Sequence, residues 1–112
     1  MLKTEKINNV IVAKFKDIDR FTALISEPVK DDLKNLFVNE GTDLALNLNE
    51  IKFVDSTGFG VFLSILKAAN NSKGRFKICC VNKDVMELFK LLQLHSVFEI
   101  FDTQEECVNS FS

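Results

Sequence analysis

The sequence is poor in the residues that usually announce catalytic chemistry. It holds one histidine, one proline, four glycines and three cysteines. His95, set in "LQLHSVF", has no link to a serine that it would serve as base, and "STGFG" is not the GxSxG of a nucleophile elbow, so serine hydrolysis is excluded. "GFGVFL" lacks the third glycine of a dinucleotide loop. Cys79 and Cys80 are adjacent and Cys107 stands apart, giving neither a CxxC nor an even set for a disulfide framework. They read as buried apolar thiols in a reducing compartment, with no metal spacing among them. No apolar run approaches the roughly 18 residues of a membrane span, and "MLKTEKINNV" lacks the apolar core of a signal peptide. A cytoplasmic location without membrane insertion is expected. An excess of positive charge is also missing: 14 basic against 16 acidic residues leave a net charge of -2. Without a broad cationic surface, nucleic acid is not an expected partner.

What is present suits one domain over residues 1–112, since a chain of 112 residues that is 46% hydrophobic can bury a single core without disulfides or metal. "NVIVAKF" at 9–15 is β-branched and roughly alternating, and Asn8-Asn9 can turn it back on a short strand near Leu2 to Glu5. Phe21, Leu24, Ile25, Val29, Leu33, Leu36 and Phe37 recur at three-and-four spacing and predict a helix over 21–37, with Pro28 as a possible kink. Gly41 ends it, "DLALNL" is a strand, and Asn49-Glu50 a turn. The run 59–69 predicts a helix with Phe62, Ile65, Leu66 and Ala69 inward and Lys67 outward. "RFKICCV" alternates as a strand, "NKDVMELFKLLQL" is a helix capped by Asn82, "VFEIF" a short strand, and "TQEECVNSF" a helix capped by Thr103. The resulting order, ββαβαβαβα, predicts an α/β fold with a mixed, mostly parallel sheet of four to five strands and about four helices.

The stretch "FVDSTGFGVFLSILKAA" places Asp55, Ser56 and Thr57 between two apolar runs. A Ser or Thr ahead of a helix is a common N-cap, and Asp55 can serve the same way. Two hydroxyls are more than one cap requires, and Gly58 and Gly60 bring backbone close with little shielding. A phosphate on a hydroxyl here would meet outward-pointing amides and the favourable end of the helix dipole. Asp55 would repel that phosphate but can orient the unmodified hydroxyl. The group therefore resembles a substrate for modification more than a catalytic site. Phe59, beside it, is either an anchor for a partner or a core residue folded under the loop.

The run "LALNLNEIKFVDSTGFGVFLSILKAA", continuing through "GRFKICCVNKDVMELFKLLQLHSVFEIFDTQEE", resembles the STAS domains of bacterial anti-sigma factor antagonists. "FKDIDRFTALISEPV" departs from the Gly-Glu-Leu-Asp-like turn usual in that family. The resemblance implies a regulatory binding protein, with no enzyme activity and no cofactor of its own. It makes Ser56 the phosphoacceptor, with Thr57 as a secondary candidate, and puts partner contacts at Asp55, Ser56, Thr57, Gly58 and Phe59. It implies as partners a GHKL-type anti-sigma factor serine kinase, which the unphosphorylated form binds to release the sigma factor, and a metal-dependent serine phosphatase. The alternative within the fold is a STAS scaffold or transporter-associated subunit with no phosphorylation cycle. A receiver domain phosphorylated on Asp55 fits worse, because Asp55 lies well past Leu48 with a turn between them, and "VFEIFDT" lacks the lysine a receiver needs, although Asp17 and Asp19 could mimic its acidic pair.

Overall fold

Asn8 and Asn9 turn the chain with φ of 50° and 68°. Two left-handed residues make the hairpin turn whose twist matches its strands, and Asn tolerates that conformation. In the computed structural model, which describes residues 1–112, β1 (Leu2–Ile7) and β2 (Val10–Phe15) accordingly pair antiparallel, from Ile7 opposite Val10 to Leu2 opposite Phe15. The chain continues through β3 (Arg20–Phe21), α1 (Ser26–Asn35), β4 (Asp43–Asn47), β5 (Phe53–Val54), α2 (Ser56–Asn71), β6 (Arg75–Cys79), α3 (Lys83–Leu91), β7 (Ile100–Phe101) and α4 (Gln104–Asn109). The main sheet has five strands in the order β1-β2-β4-β6-β7, and every pair after the hairpin is parallel. The expected mixed, mostly parallel sheet with four helices is present. Two short strands were not expected: β3 and β5 form a separate parallel pair, Arg20 opposite Phe53 and Phe21 opposite Val54.

That pair corrects the first helix. Phe21 belongs to β3, and Leu24 lies in the following loop with its side chain in solvent, so α1 begins only at Ser26. Pro28 then falls in the first turn, where amides have no intrahelical acceptor, and a kink is not imposed.

Both faces of the sheet are covered. On one, Val29 and Leu33 of α1, Phe59, Phe62, Ile65 and Ala69 of α2, and Val85 and Phe89 of α3 pack on Ala13, Phe15, Leu44, Leu46, Phe76 and Ile78. On the other, Cys107, Val108 and Phe111, in and just beyond α4, close over Val10, Val12, Ala45 and Cys79. This double cover is why β6 does not alternate as a half-exposed strand: Phe76, Lys77, Ile78 and Cys79 are all buried. Lys77 survives burial because its Nζ donates to the carbonyl and hydroxyl of Ser110, each at 3.0 Å, and lies 4.5 Å from the Phe111 ring centre. Arg75 forks onto both oxygens of Asp43 at 2.9 Å and donates to the Phe111 carbonyl at 2.8 Å. Asn82 and Thr103 cap α3 and α4 as the sequence suggests, accepting from the amides of Val85 and Glu106.

Candidate functional site

The helix entrance is built on the β3–β5 pair. The Asp55 amide donates to the Phe21 carbonyl at 3.1 Å, which extends that short ladder to the first residue of the motif. Asp55, extended at φ -89°, ψ -178°, is the N-cap of α2. This corrects the reading of Ser56 and Thr57 as caps, because both already lie inside the helix as its first two residues. Both carboxylate oxygens accept hydrogen bonds. Its Oδ1 accepts from the Thr57 hydroxyl at 2.6 Å and the Gly58 amide at 2.9 Å, and its Oδ2 accepts from the Ala23 amide at 2.9 Å. The Thr57 hydroxyl, then the Gly58 and Ala23 amides, hold the Asp55 carboxyl below the ordinary 3.8 against the opposing effect of burial.

None of these bonds reaches Ser56. The hydroxyl Asp55 orients belongs to Thr57, while Ser56 stands exposed at the first helical position beside a satisfied carboxylate. Thr57 is thereby tied into the cap, and the Ser56 hydroxyl stands exposed at this end of the helix. Its position also puts it where the unsatisfied first-turn amides and the helix dipole favour added negative charge.

The glycines divide. A Cβ on Gly58 would lie 2.6 Å from Val54 Cγ1 and 2.8 Å from the Phe21 carbonyl oxygen, so Gly58 permits α2 to close on the β3–β5 pair. Gly60 faces open space. The expectation that Gly58 exposes backbone to a partner is corrected accordingly, and so is the expectation of Phe59 as an anchor. The Phe59 side chain is 4% exposed, with its ring edge-on to Phe89 at 4.9 Å and to Phe62 at 5.9 Å. It turns inward because position 59 stands three residues before Phe62 on α2, on the stripe of Phe62, Ile65 and Ala69.

What α2 does present outward is Ser56, Gly60, Leu63 and Lys67, spaced four, three and four residues apart on one face. Leu63 is 41% exposed, and Leu24, one residue from the Ala23 amide that holds Asp55, is 93% exposed. Counting helical periods from Ser56 finds Leu63. Leu24 carries no local signal, because its exposure is set by β3. No cleft opens at the motif: the largest groove, about 500 Å³, lies between α1 and the second half of α2, lined by Lys34, Phe37, Ser64 and Lys67 among others. A convex helix start with apolar neighbours suits a macromolecular surface better than a small ligand.

The STAS domain family model matches residues 2–107, and the chain belongs to that family. It is similar to the anti-sigma-B factor antagonist of Listeria monocytogenes serovar 1/2a, 27% identical over 105 residues that span 94% of this chain and 90% of that one. Its fold matches that of an anti-sigma-factor antagonist (STAS) domain protein from Planctomyces limnophilus, with a TM-score of 0.89 at 16% identity over 99% of this chain and 98% of that one. It also matches the Bacillus cell fate determinant SpoIIAA in its phosphorylated form, with a TM-score of 0.72 at 15% identity over the whole of both chains. No helix is long and apolar enough to cross a membrane.

Proposed function

We propose that this chain is an anti-sigma factor antagonist switched by phosphorylation of Ser56. In the unphosphorylated form it binds a GHKL-type anti-sigma factor serine kinase and so frees the sigma factor that the kinase holds. The kinase, supplying ATP and magnesium, transfers a phosphoryl group to the Ser56 oxygen and thereby releases the antagonist. A metal-dependent serine phosphatase restores the hydroxyl. The observation that carries this reading is the division of labour at the helix entrance, where Asp55 and Thr57 build the cap and Ser56 is left exposed and unbonded. Membership of the STAS family and the names of its relatives support it.

The physics of the switch lies at the interface. A phosphate on Ser56 adds about -1.5 to -2 charges at neutral pH, which the helix N-terminus stabilises by up to roughly 2 kcal/mol, so the isolated fold should hardly change. A partner packed over Ser56, Gly60, Leu63 and Leu24 would instead have to strip water from that charge. The nearby Asp55 carboxylate offers it no compensation. Incubation with the cognate kinase and ATP, followed by peptide mass spectrometry, should place phosphate on Ser56 and leave Ser56→Ala unmodified. Phosphate on Asp55 alone, or on no residue, would overturn the proposal and leave a STAS scaffold without a phosphorylation cycle.

A further inference from the structure

β1 is the long open edge of the main sheet. It pairs with β2 on one side and with no strand on the other, whereas β7, at the opposite edge, has only 2 residues. The hairpin shows which backbone groups that edge offers. The Met1 carbonyl accepts from the Lys16 amide at 2.8 Å, and Ile7 stands opposite Val10 across the turn. Alternate residues of an antiparallel strand point their N–H and C=O at the neighbour, so Met1, Lys3, Glu5 and Ile7 serve β2 while Leu2, Thr4 and Lys6 turn theirs outward. Proteins usually blunt such an edge with proline, a bulge or lysine. β1 has no proline, pairs with β2 without a bulge, and exposes Lys3, Thr4, Glu5 and Lys6. Its lysines repel an added strand only where they meet another cation. Lys3 already stands opposite Lys14, and neither Lys3 nor Glu5 has an ion-pair partner within the chain.

We propose that β1 pairs with β1 of a second copy of this chain, antiparallel about a twofold axis at Thr4, so that one sheet runs through a reversible dimer. Self-complementarity selects this register. Thr4 meets Thr4 of the second copy, and Leu2 and Lys6 meet each other on both sides; these residues carry the outward backbone groups and exchange their hydrogen bonds. Between them each Lys3 stands opposite a Glu5, in the non-hydrogen-bonded positions where facing side chains come closest. The incoming carboxylate also offsets the like charges of Lys3 and Lys14. At the ends, exposed Met1 meets half-buried Ile7. An axis centred on Lys3, Glu5 or Lys6 instead sets like charges face to face. A strand pair alone buries less than the roughly 1,000 Å² of a lasting interface, so the dimer is weak and depends on concentration. Because α2 packs on β6, with β4 and β2 between it and β1, both helix entrances stay open.

The test is sedimentation velocity of the whole chain from micromolar to millimolar concentration, with amide hydrogen exchange followed over the same range. The wild type should shift from monomer to dimer, and the Thr4 and Lys6 amides should gain protection as it does, while those of Lys3 and Glu5 are protected throughout. Glu5→Lys and Lys3→Glu should each lose the dimer by opposing like charges, and the double variant carrying both should regain it. Thr4→Pro removes an outward N–H that β2 does not use, so it should stay monomeric with an unchanged circular dichroism spectrum. A monomer at every concentration, a dimer that forms without protecting Thr4 and Lys6, a dimer unaffected by Glu5→Lys or by Thr4→Pro, or a double variant that stays monomeric would each overturn the proposal.

Discussion

Asp55 serves three donors with one carboxylate, and this explains a residue that Ser56 itself does not need. It caps α2 through Gly58, fixes the Thr57 rotamer, and ties the loop before α1 to the helix start through Ala23. Asp55→Ala removes the cap and leaves the Ala23 amide to water, for an expected loss of about 1–2 kcal/mol by denaturant unfolding. The loss should depend on pH. A carboxyl whose pKa is lowered on folding stabilises the folded state fully above its ordinary value of 3.8 and ceases to do so as pH falls through the lower folded value. The gap between wild type and Asp55→Ala should therefore be constant near neutral pH and shrink below about pH 4. A gap that widens on acidification would show that the carboxylate is not the stabilising form. The partial exposure of Asp55 keeps the effect small.

At the scale of elements, α2 is positioned by a glycine and displayed by another. Gly58→Ala would drive its Cβ against the Phe21 carbonyl, which is pinned as acceptor for the Asp55 amide, and should cost about 1–3 kcal/mol. Gly60→Ala meets nothing and should gain up to about 1 kcal/mol from helix propensity. Equal effects at the two sites, read from unfolding midpoints, would contradict this placement of α2. Such asymmetry was not legible in the sequence, where both glycines follow the motif alike. The caps at Asn82 and Thr103 and the Asn8-Asn9 hairpin were legible, because each is decided by a few neighbouring residues. The β3–β5 pair was not, since two-residue strands carry no period, and its absence from the reading let Phe21 and Leu24 be counted on a helical stripe they do not join. Phe59 reads in the sequence as either anchor or core, although its three-residue spacing from Phe62 already places it on the inward stripe, where the structure buries it.

The whole molecule keeps its core chemistry and its surface chemistry on different faces. The phenylalanines at 15, 21, 59, 62, 76, 89 and 98 interlock in the core that α1, α2 and α3 form with the sheet, so the ring next to Ser56 strengthens the fold, while Leu24, Leu63 and Ser56 are the exposed side chains at this end of α2. Leu24→Ala should melt like the wild type, because the side chain touches solvent, yet bind the kinase more weakly; equal binding would remove the loop from the interface. Under the proposed function, a phosphate on Ser56 would act by what it prevents at a contact, and little by changing the domain. Ser56→Asp should reproduce that effect in part, since a carboxylate carries less charge than a phosphate. The most direct measurement is titration calorimetry of wild type, Ser56→Ala, Ser56→Asp and phosphorylated protein against the anti-sigma factor kinase with ADP bound. Wild type and Ser56→Ala should bind alike, Ser56→Asp more weakly, and the phosphorylated form more weakly by about a hundredfold or more, all with the same circular dichroism spectrum. Equal affinity across the four proteins would contradict charge at Ser56 as the switch.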